Sequence, residues 1–171
     1  MIKLFKLNGI GQLFLILGAV VLLWGKVFIS PIEMPSGFGY APLYDPIYSL
    51  FSNHCRIASA LALLLVLLEG AWINSIFYSH KMLTQNTLMP MFLFVVAMSF
   101  SPSSRTLTPL LLANIAIIAG MRQMMVQENL NITLDNLFNA ALLISIATMF
   151  YLPSVAFIAP LIITFSIHKL Y

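Results

Sequence analysis

The feature that most constrains this chain is where its charged residues stand. Its 171 residues include only eight Lys or Arg and five Asp or Glu. All of them except Lys26 and Glu69 fall at the ends of long apolar runs or between those runs. A charge at the centre of a bilayer costs about 3 kcal/mol or more, so a chain that crosses the membrane repeatedly keeps its charges at the ends of its spans. The pattern therefore predicts an integral membrane protein.

Composition narrows the class of protein further. Apolar residues make up 61% of the chain, against roughly 45–50% in soluble domains. The basic residues are scattered singly, which argues against a nucleic-acid partner. The single cysteine excludes an internal disulfide, and the three histidines lie in three separate segments. We therefore expect no cofactor and no metal, and as partners the lipid bilayer and other membrane-protein subunits.

The apolar runs predict an all-α fold: a polytopic transmembrane helix bundle of about six spans, forming one domain over residues 1–171. A helix needs about 20 residues to cross the hydrocarbon, or about 17 where the bilayer thins. The last two spans meet with almost no loop, so they could instead be one broken helix or a re-entrant pair. The expected spans are 10–30, 56–78, 87–101, 107–125, 133–152 and 153–170.

Basic residues in the connections predict the orientation of the bundle. An N-terminus inside leaves only Arg56 and Arg105 facing outward, with Lys26 set aside. Positive charges collect on the cytoplasmic side of membrane proteins, so both termini of this multi-pass chain are expected in the cytoplasm. The cytoplasmic basic residues in this arrangement are Lys3, Lys6, Lys81, Arg122 and Lys169.

The segment 31–55 then forms an outer loop. Four prolines and two glycines between residues 31 and 46 preclude a regular helix there. Pro46 predicts a short interfacial helix over 46–51 with Asp45 as its N-cap. Glu33 and Asp45 are the two acids of this loop, and they are the candidates for acid/base catalysis on a lipid-linked substrate. The alternative for both is an ordinary solvated charge or a helix cap.

Polar residues inside the expected spans are the second group of candidates. Glu69 lies about 20 Å below the outer end of its span at 1.5 Å per residue, where a charge is by default a functional-site hypothesis. It predicts a proton or ion relay, or else a neutral group bonded to a neighbouring helix. Asn74, Asn114 and Asn139 could line a polar site with Glu69, or could serve as interhelical hydrogen-bond donors and acceptors. Lys26 is expected to extend its ammonium to the membrane surface.

Several short stretches together resemble a known family. Their order and spacing are similar to those of a family of uncharacterised multi-spanning inner-membrane proteins of Bacteroidota. The resemblance implies an inner-membrane location in the cell envelope and carries no established activity. The stretches are 67–74 (LLEGAWIN), 80–81 (HK), 86–90 (NTLMP), 112–114 (LAN) and 147–153 (ATMFYLP).

The layout also resembles the N-terminal half of multi-spanning glycosyltransferases that use polyprenyl-linked sugars. The common features are a first span, an outer loop with acids, and hairpin spans that end in a Tyr-Leu-Pro corner. In those enzymes an acidic residue of the first outer loop matters for activity. The resemblance implies that Glu33 or Asp45 takes that place here.

Three functions follow as hypotheses. The first is a subunit or scaffold in cell-envelope assembly without catalysis of its own. The second is a membrane transferase or carrier-lipid handling protein that acts on a polyprenyl-linked sugar at the outer face. It requires Glu33 or Asp45 to face a cavity shared with the fourth or fifth span. The third is a small proton-coupled transporter, which requires Glu69 to line a polar cavity with the asparagines.

Overall fold

The structure, a computed structural model, describes residues 9–30, 32–35, 41–80, 82, 87–125 and 134–168. Within these ranges the chain is all-helical, with seven α-helices and no strand. The lysines at positions 3, 6, 81 and 169, which carry most of the predicted orientation, lie outside the described residues. The α-helices are α1 (Gly9–Ile29), α2 (Asp45–Phe51), α3 (Cys55–Ser79), α4 (Met89–Phe100), α5 (Pro109–Met125), α6 (Leu134–Phe150) and α7 (Ile158–His168).

Two of these helices are long and apolar enough to cross a membrane. They are α1, through its segment 11–29, and α3. In each, only 22% of the most apolar window is buried, whereas the core helix of a soluble protein is mostly buried. The exposed side chains include Leu22, which is 84% exposed, and Phe14. A lipid or a partner surface covers exposed apolar side chains that lie next to one another.

The predicted six-span bundle is not confirmed, because the other helices are shorter than the predicted spans. The helix α4 has 12 residues, which is about 18 Å, and α5 has 17, which is about 25 Å. Prolines account for the shortening: Pro102 opens a 3₁₀ turn after α4, and Pro153 lies in the 3₁₀ helix Leu152–Phe157 after α6. The helix α7 follows this 3₁₀ helix and contacts α6, and the last predicted span is only an 11-residue helix.

The short helix α2 appears where it was predicted, but the predicted cap is wrong. Asp45 is the first residue of the helix rather than its N-cap, and Pro46 follows in the first turn. Tyr44 occupies the capping position and makes no side-chain capping bond. Its side chain is buried beneath the loop and is therefore not available to the helix end.

Hydrogen bonds between helices establish their directions. The backbone N–H of Leu88 donates to Oε1 of Gln12 at 2.7 Å, and Nε1 of Trp24 donates to Oγ of Ser99 at 2.8 Å. Gln12 precedes Trp24 along α1, and their partners Leu88 and Ser99 follow one another in the same order at α4. The two helices therefore run parallel. Parallel directions are those expected of a first and a third membrane crossing.

The helices α5 and α6 form the closest helix pair. Small residues line their contact, and a Cβ added at Gly120 would lie 3.4 Å from the carbonyl oxygen of Ala140. Ala113 and Ala147 are fully buried in the same interface. Small residues that let two backbones approach are the usual basis of helix association in membranes.

A substitution at Gly70 tests the packing of α3 on α4. An added Cβ would lie 3.2 Å from Cγ of Met91 and 3.3 Å from Cγ2 of Val95. We therefore expect Gly70→Leu to overpack the interface and to lower the free energy of unfolding by about 1–3 kcal/mol. The measurement is the unfolding midpoint of the purified protein in one detergent.

The matched control is Gly18→Leu in α1, because a Cβ there meets no atom within 4 Å of the described structure. This variant should unfold at or above the wild-type midpoint, since leucine favours helix more than glycine does. Equal losses in the two variants would contradict the close approach of α3 and α4.

Candidate functional site

A pocket of about 370 Å³ lies where the first loop meets the connection between α4 and α5. The extended segment 32–35 forms one wall, and residues 102–110 form the other. Tyr151, just after α6, closes one side. The pocket therefore joins the predicted outer loop to the predicted fourth and fifth spans.

Tyr44 holds the two walls of this pocket together. Its hydroxyl lies 3.0 Å from the carbonyl oxygen of Leu107 and 3.3 Å from that of Pro35. The ring is buried in a cluster with Met34 and Leu107. Burial, and to a lesser degree the neighbouring Tyr48, raises the pKa of Tyr44 to about 12, so its hydroxyl remains a donor at physiological pH.

Two polar side chains of the pocket form no hydrogen bond within the described residues. Glu33 is exposed and lines the pocket. Thr106 is only 3% exposed, and its Oγ1 has no hydrogen-bond partner within the described residues. Thr108 differs, because its Oγ1 donates to the carbonyl oxygen of Ser103 and accepts from the N–H of Leu111 at the start of α5. A buried hydroxyl without a partner costs about 1–3 kcal/mol, which makes Thr106 the anomaly of this site.

The charges of the pocket favour one kind of ligand. None of the described residues that line it is Lys or Arg, while Glu33 contributes a carboxylate. The nearby Arg105 instead donates through its Nε to the carbonyl oxygen of Ser99 at 2.8 Å. Hydrogen-bond acceptors and hydroxyls without a cation suit a ligand that donates hydrogen bonds, such as a polyol or a sugar, better than a phosphate.

Glu69 and Asn114 form the second polar site, between α3 and α5. Glu69 is 0% exposed, and its Oε2 accepts a hydrogen bond from Nδ2 of Asn114 at 2.9 Å. The other carboxyl oxygen, Oε1, has no partner within the described residues. The predicted approach of Glu69 to Asn114 is thus present as a direct contact.

The remaining sequence candidates are not brought to Glu69 by any described bond. Asn74 is half-buried with an unpartnered Oδ1 in the described structure. Asn139 is exposed, because the face of α6 that packs inward carries Leu137, Ala140 and Ile144 instead. A site shared by Asn139 and Glu69 therefore stays a prediction.

Of the two loop acids, the structure places only Glu33 in a pocket. Asp45 is exposed at the start of α2 and does not line the pocket. Lys26 is exposed in the last turn of α1, as expected of a side chain that reaches the membrane surface. Thr106 was missed by sequence reasoning, because a threonine in a proline-flanked loop gives no signal until its burial is known.

Comparison of the chain with family models, with curated proteins and with solved structures finds no match. The resemblance to the Bacteroidota inner-membrane family and the likeness in layout to the glycosyltransferases therefore stay predictions. What can be said of function rests on the two sites themselves.

A double-mutant cycle tests the pairing of Glu69 with Asn114. We expect Glu69→Leu and Asn114→Leu to be coupled by about 0.6–1.7 kcal/mol, the range measured for interhelical hydrogen bonds in membranes. Glu69→Gln should unfold close to the wild type, because its amide oxygen still accepts from Asn114. The measurement is the free energy of unfolding in mixed detergent micelles.

Asn139→Leu is the matched control, since Asn139 is exposed on another helix. It should show no coupling to Glu69→Leu. Zero coupling for Asn114, or equal coupling for the two asparagines, would contradict the contact.

Proposed function

We propose that this protein is a multi-pass protein of the cell inner membrane with both termini in the cytoplasm. Support comes from two apolar helices that are mostly exposed and from the parallel directions of α1 and α4. The helices α3 and α5 also run parallel, since Ala58 shares a cluster with Leu107 while Glu69 bonds Asn114 further along both helices. Parallel directions of α1 with α4 and of α3 with α5 suit successive crossings that alternate in direction.

Within the membrane, we propose that the protein binds the sugar of a lipid-linked carrier at the outer face and has no catalysis of its own. One observation carries this proposal: the exposed carboxylate of Glu33 lines a pocket in which no described residue is a cation. A ligand that supplies hydroxyl groups would donate hydrogen bonds to this carboxylate. The function is then that of a carrier-lipid handling subunit in cell-envelope assembly.

The pocket lining divides into parts that suit the two ends of such a ligand. Glu33 offers acceptors for sugar hydroxyls, and the ring of Tyr151 offers an apolar surface beside it. Ile32 and Leu110 continue the lining with aliphatic side chains that suit a prenyl chain. Since no cation lines the pocket, the linking phosphate of the carrier would lie outside it.

The transporter hypothesis has less support. It needs a cavity at Glu69, and Glu69 lines neither this pocket nor the second one, described below. Its bond to Asn114 is the kind of contact that holds two helices together. The transferase hypothesis has the cavity that it requires, since Glu33 lines a pocket with Leu110 and Tyr151 of the predicted fourth and fifth spans. Acid/base catalysis there would rest on a single carboxylate among the described lining residues.

Lipid binding by the purified protein tests the proposal. Wild-type protein in nanodiscs should bind a polyprenyl-phosphate-linked sugar and bind polyprenyl phosphate without a sugar much more weakly. Glu33→Gln should weaken binding of the sugar form at least about tenfold, because a hydrogen bond to a charged group contributes about 1.5–3 kcal/mol. Native mass spectrometry reads out the bound fraction.

Two further variants sharpen the result. Thr106→Val keeps the shape, so it should raise the unfolding midpoint of the empty protein, because the unpartnered hydroxyl is gone. Asp45→Asn is the matched acid control and should leave binding unchanged. Equal binding with and without the sugar, or equal losses in Glu33→Gln and Asp45→Asn, would refute the proposed function.

A further inference from the structure

A second pocket, of about 400 Å³, lies between the C-terminal halves of α3 and α5. Its lining residues are Trp72 of α3 and Ala119, Arg122 and Gln123 of α5. Arg122 is three residues, or about 4.5 Å, from the last residue of α5. Because α3 and α5 run parallel, this pocket and the Glu33 pocket lie at opposite ends of the bundle. On the orientation proposed above, the second pocket is at the cytoplasmic side.

The chemistry of this pocket is opposite to that of the first. Arg122 is exposed, and within the described residues it makes no hydrogen bond or ion pair. No Asp or Glu is among the lining residues that the structure describes, and the amide of Gln123 adds a neutral donor. A guanidinium offers donors in a planar fork that matches two oxygens of a phosphate. The pocket therefore suits an anion with several oxygens.

The depth of the pocket distinguishes a membrane ligand from a purely aqueous one. Trp72 lies seven residues, or about 10 Å, before the end of α3, and tryptophans are enriched at membrane–water interfaces. The small side chain of Ala119 leaves space beside the arginine between the two helices. Basic pockets between transmembrane helices on the cytoplasmic side are known sites for anionic lipid headgroups.

We propose that the Arg122 pocket binds a phosphate group, and that the group belongs to an anionic phospholipid of the cytoplasmic leaflet. The guanidinium of Arg122 donates to two phosphate oxygens, Gln123 donates to a third, and Trp72 packs beside the glycerol and the first carbons of the acyl chains. This site is independent of the sugar site proposed for the other end. Either can fail while the other stands.

Added lipid or phosphate tests the site in the full-length protein. Protein in nanodiscs of neutral phosphatidylcholine is compared with protein in nanodiscs that also contain phosphatidylglycerol, and a third sample receives inorganic phosphate. We expect phosphatidylglycerol to raise the unfolding midpoint and to stay bound in native mass spectra. Arg122→Gln should weaken this binding at least about tenfold, and Arg122→Lys should restore part of it.

The matched control is Arg56→Gln, which removes an exposed arginine near the start of α3, at the other end of that helix. It should bind phosphatidylglycerol as the wild type does. Protection by inorganic phosphate alone, lost in Arg122→Gln, would keep the phosphate site but overturn its assignment to a lipid. Equal protection of wild type and Arg122→Gln, or no protection by either additive, would overturn the site altogether.

Discussion

Polar contacts between helices determine how this bundle is arranged. In lipid, burying leucine against leucine gains little, because the acyl chains are as apolar as the side chains. The hydrogen bonds from Trp24 to Ser99 and from Asn114 to Glu69 therefore distinguish one arrangement of helices from many others. The first places α1 beside α4, and the second places α3 beside α5. Both pockets depend on this arrangement, since each needs the start or the end of α5 at a defined depth.

The first loop completes the arrangement at one end. Tyr44 ties it to the chain before α5, with its hydroxyl 3.0 Å from the carbonyl oxygen of Leu107. Through its contact with Pro35, Tyr44 also fixes the segment 32–35 as a wall of the Glu33 pocket. The pockets at the two ends of the bundle then differ in the sign of their charge. One contains the carboxylate of Glu33, and the other contains the guanidinium of Arg122. A protein that holds a neutral sugar outside and an anionic lipid inside would need this asymmetry.

The first two long helices could be predicted from the sequence almost to the residue. Spans 10–30 and 56–78 correspond to α1 (Gly9–Ile29) and α3 (Cys55–Ser79), because Pro31 and the flanking charges mark their limits. The last span was overestimated, since apolar residues begin at Pro153 although the chain first forms the 3₁₀ helix Leu152–Phe157. Periodicity alone cannot say which helix a polar residue faces. Asn114 and Asn139 were therefore equal candidates until the packing of α5 and α6 separated them.

The most direct test concerns whether α3 crosses the membrane with the Glu33 pocket outside. Single cysteines at Asn53 and Ser79, exposed at opposite ends of α3, are introduced one at a time after Cys55→Ser removes the only native cysteine. Cells expressing each variant are treated with a membrane-impermeant maleimide before and after permeabilisation. We expect Asn53→Cys to react in intact cells and Ser79→Cys to react only after permeabilisation. Reaction of both cysteines from the same side, or the reverse pattern, would contradict the proposed arrangement.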